Sequence, residues 1–134
     1  MLEGSCLCGA VRYEVTGAFG EIHHCHCSRC RKAHGAAFST FGRLGRGQLR
    51  VVRGSDAIRT YPSSPQIERT FCSLCGSNLT FAFDGLPDEI WVAVGTLDDD
   101  PGARPSAHIF AASKAPWHAI TDDLPTFEEY PPQD

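Results

Sequence analysis

Seven cysteines fall into three short groups, Cys6-x-Cys8, Cys25-x-Cys27-x-x-Cys30 and Cys72-x-x-Cys75, and none lies outside them. In a chain of 134 residues this spacing constrains the fold more than hydropathy does, because metal-ligating turns dictate which distant segments must meet. A closed structural zinc site takes four ligands in a tetrahedron, whereas zinc that does chemistry keeps a position free. The most economical division of the seven gives Cys6, Cys8, Cys72 and Cys75 to a closed site. Cys25, Cys27 and Cys30 are then left for an open one. A rival division joins Cys25, Cys27 or Cys30 to Cys72 and Cys75 and leaves Cys6 and Cys8 free; it stays open at this level.

Disulfides fit the pattern poorly. Residues 1–20 show no apolar run behind basic residues, and no segment approaches membrane-spanning length, so the expected setting is cytoplasmic and without membrane attachment. Dense Cys-x-x-Cys spacing in that compartment points to metal or catalysis. A redox dithiol at Cys72 and Cys75 would leave the other two groups without a purpose.

The length suits a single domain over residues 1–134, small enough for metal to matter to its stability. Residues 1–83 carry ten Lys or Arg against five acids, and residues 84–134 carry two against eleven. Seven thiolates and two zinc ions would reduce the basic excess of the first part from five charges to about two. That is a weak footprint for nucleic acid, which is not an expected partner. Monomer and homodimer are equally compatible with the composition.

Six runs rich in β-branched and aromatic residues read as strands: 10–15, 37–41, 49–53, 67–71, 79–83 and 90–94. Glycine and proline interrupt the chain too often for a helical bundle. Short helical turns are expected at 30–35 and near 110–114, and the two prolines of 59–65 suggest a surface excursion. Asp98-Asp-Asp-Pro-Gly reads as a solvated loop, and the end of the chain as a strap whose Leu124, Phe127 and Tyr130 anchor it. A mainly β domain of small antiparallel sheets clipped by zinc follows. Gly9 and Gly76, each directly after a cysteine, are expected at positive φ in the ligand turns.

Three thiolates around zinc give an electron-rich centre of net charge −1, which welcomes another soft sulfur more readily than it activates water. An external thiol is its natural fourth ligand, held there as a thiolate and able to attack a small electrophilic carbonyl. Arg29, Arg31 and Lys32 interleave with these cysteines and are candidates to pair with carboxylates of such a thiol. His24 and His26 are the candidate proton-transfer groups, with His23 beside them and His34 a weaker one. His108 and His118 read as satisfied core histidines.

GSCLCGAVRYEV at Gly4 to Val15, HCHCSRCRKAHGAAF at His24 to Phe38, FCSLCGSNL at Phe71 to Leu79 and KAPWHAI at Lys114 to Ile120 together resemble the glutathione-dependent formaldehyde-activating enzyme family, whose domain is shared with centromere protein V. The resemblance covers residues 4 to about 127. It implies a zinc-stapled, largely β fold of the Mss4-like type. It also implies a structural zinc on Cys6, Cys8, Cys72 and Cys75 and a catalytic zinc on Cys25, Cys27 and Cys30. Its implied activity is that of a carbon-sulfur lyase acting on thiol-aldehyde adducts, with glutathione as co-substrate and formaldehyde or another small aldehyde as electrophile. The competing expectation is a noncatalytic zinc module that binds another protein.

Overall fold

All six expected runs form strands, and hydrogen bonding sorts them with four more into two sheets. The structure, a computed structural model, describes residues 1–132. In chain order the elements are β1 (Leu2–Ser5), β2 (Arg12–Val15), β3 (Ile22–Cys25), α1 (Ser28–His34), β4 (Ser39–Gly45) and β5 (Leu49–Arg53). They continue with β6 (Ile58–Ser64), β7 (Ile67–Cys72), β8 (Asn78–Phe83), β9 (Glu89–Ala93) and β10 (Ala107–Ile109). One sheet has the order β1-β2-β5, the other β10-β3-β4-β9-β8-β7-β6. Among the described strands only the β3–β10 pair is parallel, and an isolated parallel bridge joins His108 to Thr126. The second sheet is thus larger than the small antiparallel units expected, because β9 joins the hairpin strands β7 and β8 to β4.

The segment 59–65, expected as an excursion, belongs to a strand. β6 lies at the edge of its sheet, paired to β7 alone, and its ladder shifts register between Pro62 and Ser64. An edge strand tolerates proline because the missing N–H would have faced solvent. The expected helical turn at 30–35 becomes α1, which begins earlier, where the Cys30 amide donates to the Cys27 sulfur at 3.3 Å, and ends on Gly35.

Between the sheets lies a core of Tyr13, Val15, Phe19, Leu44, Ile90 and Val92, each apolar side chain contributing about 1.5–3 kcal/mol on burial. A second cluster, Cys6, Val11, Cys72 and Leu79, backs the first and third cysteine groups. Strand alternation divides the larger sheet into two faces. One packs on the core. The other carries an in-register row across five strands, Tyr61, Arg69, Phe81, Trp91 and Arg43. Cys25 opens onto this second face, since it sits two residues from His23, whose ring lies 5.6 Å from that of Trp91.

The strap is held by backbone pairing and by Tyr130, which is still 53% exposed. Phe127 N donates to His108 O at 2.9 Å, His108 N to Pro125 O at 2.9 Å, and Ala111 N to Phe127 O at 2.9 Å. Tyr130 meets Phe110 edge-on at 4.8 Å between ring centres. Asp98 and Asp99 are not merely solvated, because they accept from the Ser5 hydroxyl and the Glu3 amide. Among the described residues no helix is long and apolar enough to cross a membrane.

Candidate metal and active site

The cysteines gather as four and three. The sulfurs of Cys6, Cys8, Cys72 and Cys75 all lie within 4.8 Å of one another, and so do those of Cys25, Cys27 and Cys30. No cysteine of the middle group enters the first cluster, so the rival division does not describe this fold. Sulfurs about 2.3 Å from a tetrahedral zinc stand about 3.8 Å apart. Cys6 and Cys8 are 3.6 Å apart and Cys8 and Cys72 3.9 Å, so the four-sulfur cluster already has the dimensions of a zinc cage.

Two turns build that cage. Gly9 at φ 79° and Gly76 at φ 82° follow Cys8 and Cys75 in the left-handed region, which an L side chain enters only with strain. The turns let backbone amides face sulfur: Val11 N donates to Cys6 Sγ at 3.3 Å, and Gly76 N closes the second turn on Cys72 O at 2.7 Å. Ser77 ties the turns together, accepting from Leu7 N at 2.9 Å while its hydroxyl lies 3.3 Å from Cys75 Sγ. That hydroxyl is the main reason the Cys75 thiol falls to about 5.

The three-sulfur cluster spans the end of β3 and the first turn of α1. The closeness of the three thiols favours ionisation at one of them, so Cys25 and Cys27 lower Cys30 while Cys25 is pushed up in turn. Three soft donors converging within 4.8 Å of one another fit zinc by their donor chemistry.

Sequence inspection missed the side chain that answers this charge. Arg69, in the middle of β7, is 8% exposed, and its Nη2 donates to Cys30 Sγ at 3.4 Å. Its Nε donates to Ser63 Oγ at 3.1 Å, and the guanidinium lies 5.8 Å from the centre of the Phe81 ring. Phe81 in turn stacks on Trp91 at 5.6 Å and 5° and meets Phe41 edge-on at 4.6 Å. The available signal was the alternation within IERTFC, which puts Arg69 on the same face as Ile67 and Phe71.

His24 and His26 are turned away from Cys25. His24 Nδ1 is 2.8 Å from Thr40 Oγ1, and its ring packs on Phe38. His26 is fully buried, with Nε2 2.8 Å from His108 Nδ1, and His108 Nε2 lies 2.9 Å from Asp122. A carboxylate only accepts, so His108 Nε2–H donates to Asp122 and its Nδ1 accepts from His26 Nε2–H. His26 Nδ1 is then a bare acceptor, and it has no partner among the described residues. Burial first, then the neighbouring His108 and His118, lowers His26 to about 4, in keeping with a neutral ring. The three aromatic nitrogens and the carboxylate thus form a relay reaching from the protein surface to the Cys25–Cys27 turn.

The basic residues separate. Arg29 and Lys32 are exposed on α1, whereas Arg31 is half-buried with a buried Nε that has no partner. His34, also on α1, borders a cleft of about 360 Å³ together with Phe38, Ser39, Thr40, Asn78 and Thr96. Ser39 is 2% exposed, pairs with Cys25 in the β3–β4 ladder and has an unpartnered hydroxyl. Burial lowers His34, opposed by its proximity to Cys30. Tyr130 of the strap, whose ring meets Phe110 and Phe83, is raised by burial and then by all three thiols.

Comparison with known proteins gives a consistent result. The sequence profile described as glutathione-dependent formaldehyde-activating enzyme matches residues 1–113. A Halomonas elongata protein provisionally named for that activity is 32% identical over 128 residues, 90% of this chain and 81% of the relative. A similarly named Fusarium vanettenii protein is 37% identical over 76 residues, but those are 55% of this chain and 41% of the fungal one. An uncharacterized lyase of Schizosaccharomyces pombe is 33% identical over 60% of this chain and 57% of its own. Among solved structures, that of a Rhodobacter sphaeroides protein superimposes with a TM-score of 0.62 at 30% identity, covering 77% of this chain and 91% of the other.

Proposed function

Because the chain belongs to the glutathione-dependent formaldehyde-activating enzyme family, we propose that it is a carbon-sulfur lyase that forms and cleaves adducts between glutathione and a small aldehyde, formaldehyde being the simplest. The observation that carries this reading is the unequal pair of clusters: four sulfurs, enough to close a tetrahedron, and three that leave one position free beside the buried Arg69 and the Phe81 ring. The first cluster, Cys6, Cys8, Cys72 and Cys75, holds a structural zinc, and Cys25, Cys27 and Cys30 hold a catalytic one. Zinc at the second cluster supplies Lewis acidity that lowers the pKa of an incoming thiol and polarises a carbonyl.

The remaining work belongs to the chain. Phe41, Phe81 and Trp91 present an apolar wall that excludes water from a reactive aldehyde and favours its small carbonyl. The cleft at His34, Ser39 and Asn78 offers polar groups for the peptide portion of the thiol, and Arg31 on the adjoining helix offers a cation for a carboxylate. His26 and His24 serve as positioning residues: the His26–His108–Asp122 relay fixes the turn that bears Cys25 and Cys27. A reducing, cytoplasmic setting is part of this reading, since both clusters act only as thiolates.

The test is to count zinc in the purified protein, record zinc-edge X-ray absorption with and without glutathione, and follow formation of S-hydroxymethylglutathione from formaldehyde by NMR. Two zinc ions per chain, a gain of sulfur ligation on adding glutathione and adduct formation faster than the uncatalysed rate are expected. Two zinc ions that ignore the thiol, with no acceleration, would sink the enzymatic reading in favour of a noncatalytic zinc module.

A further inference from the structure

Arg69 presents a charge without a conventional partner. An arginine stays protonated in proteins, and a buried cation is normally met by a carboxylate. Among the described residues, no Asp or Glu lies within salt-bridge distance of Arg69. What Arg69 does touch is the Cys30 sulfur, through Nη2, and the Ser63 hydroxyl, through Nε. Its Nη1 is buried and donates to nothing among the described residues. The guanidinium is a rigid plane whose two terminal nitrogens stand about 2.3 Å apart, so Nη1 lies within about 6 Å of a cluster sulfur.

The surroundings hold that nitrogen in place. Arg69 is flanked in register by Tyr61 on β6 and Phe81 on β8, and Phe81 is braced by Phe41 and Trp91. A solvated arginine would lose its orientation; this one is fixed from three sides. Leaving a buried N–H unpaired is costly, and such cost is sustained where the missing acceptor is a ligand or a transient charge.

We propose that Arg69 is a catalytic residue whose Nη1 receives the oxyanion formed when the thiolate adds to the aldehyde. The inference rests on the adduct-forming reading above. In the step, the sulfur lone pair forms the carbon-sulfur bond, the carbonyl π pair moves onto oxygen, and that oxygen takes up from solvent the proton equivalent the thiol gave up. The sum is thiol plus aldehyde to hemithioacetal, with no oxidant or reductant. In reverse the hydroxyl loses its proton, Nη1 holds the alkoxide, and the carbon-sulfur bond breaks. Nη2 keeps its contact with Cys30 throughout, so one planar group faces both the ligand sulfur and the site of charge development. Preorganised donors of this kind act where charge develops rather than on the neutral substrate.

Two glutathione conjugates test this by binding alone. S-carboxymethylglutathione and S-carbamidomethylglutathione differ only in charge at the position the alkoxide would approach. Calorimetry on the zinc-loaded protein should show the carboxylate bound at least about tenfold more tightly. Arg69→Met should erase that preference, and Arg69→Lys should keep part of it, both with unchanged zinc content. In adduct formation at saturating glutathione, Arg69→Lys should lower kcat by about 10²-fold with little change in KM.

Equal binding of the two conjugates by the wild-type protein, or a preference that survives in Arg69→Met, overturns the proposal while leaving the enzymatic reading intact. Equal losses for both conjugates in Arg69→Lys indicate a purely structural arginine and overturn it too. Should Arg69→Met fail to fold, the wild-type preference and the Arg69→Lys kinetics still decide. If the wild-type protein binds neither conjugate and forms no adduct, the glutathione reading itself has failed and takes the proposal with it.

Discussion

Around Cys6, Cys8, Cys72 and Cys75 the donors are backbone amides and a serine, whereas around Cys25, Cys27 and Cys30 they include a buried arginine. The first arrangement is complete. Its four sulfurs suffice for a tetrahedral zinc, and the Val11 amide and the Ser77 hydroxyl stand ready to soften their charge. The second has three sulfurs, and Arg69 beside it keeps a buried Nη1 with no partner among the described residues, next to the Phe81 ring. On the function proposed above, the cluster completed by its own chain supports the fold, and the three-sulfur cluster takes its fourth ligand from a substrate thiol.

The largest expected effect comes from breaking the first cluster. Cys72 is fully buried, and its cluster joins the Cys6 turn to the end of β7 across 66 residues. Structural zinc contributes on the order of 10 kcal/mol, comparable with the whole stability of a domain. Cys72→Ala should therefore show no cooperative unfolding transition in urea followed by circular dichroism. A variant melting within a few degrees of wild type would erase the distinction between the clusters.

The second cluster should behave in the opposite way. Cys27→Ala removes one ligand and the sulfur that caps α1, a cap worth about 1 kcal/mol. Zinc content should fall by one equivalent and adduct formation should cease, while cooperative unfolding persists. Collapse like that of Cys72→Ala would show that both metals are structural.

Much of this division was legible in the spacing of seven cysteines, because ligand number is a property of residue type and count. Position across a sheet was harder to read. Arg69 lies in a strand whose limits were anticipated, yet its burial depends on β6 and β8 closing over it, and β6 was hidden by Pro62 and Pro65. β3 escaped because IHHC reads as polar, and β10 because it has three residues paired in parallel with a segment 84 positions earlier. His108 looked like a core histidine and is one, being 2% exposed; only the fold shows that it stands between Asp122 and His26. His24 and Cys25 are neighbours in β3 and so face opposite sides of the sheet, a separation that follows from the strand and not from their adjacency.

A backbone change sharpens the comparison from the closed side. Gly54 has φ 79°, and a Cβ there would stand 2.0 Å from the Ala10 carbonyl oxygen, behind the Cys6–Cys8 turn. Gly54→Ala combines left-handed strain with a backbone clash and should cost about 3 kcal/mol in urea unfolding. Zinc release from the three-cysteine cluster, followed with a chromogenic chelator, should keep its wild-type rate. Faster release from both clusters would mean that they are mechanically one unit.

The smallest effect should come from the far end of the relay. Asp122 is partly exposed and touches neither cluster, but its carboxylate sets the tautomer of His108, which sets that of His26 between Cys25 and Cys27. Loss of a partner directly behind a ligand costs about 10–100-fold in metal affinity, and an effect passed through two imidazoles should be smaller, about threefold. Asp122→Ala should accelerate zinc release from the three-cysteine cluster by that amount and leave the four-cysteine cluster unchanged. Asp122→Asn keeps an acceptor for His108 Nε2–H and should recover most of the loss. Recovery would assign the effect to tautomer and orientation; an asparagine variant as leaky as alanine would assign it to charge, and equal release from both clusters in Asp122→Ala would show that the relay serves the fold as a whole.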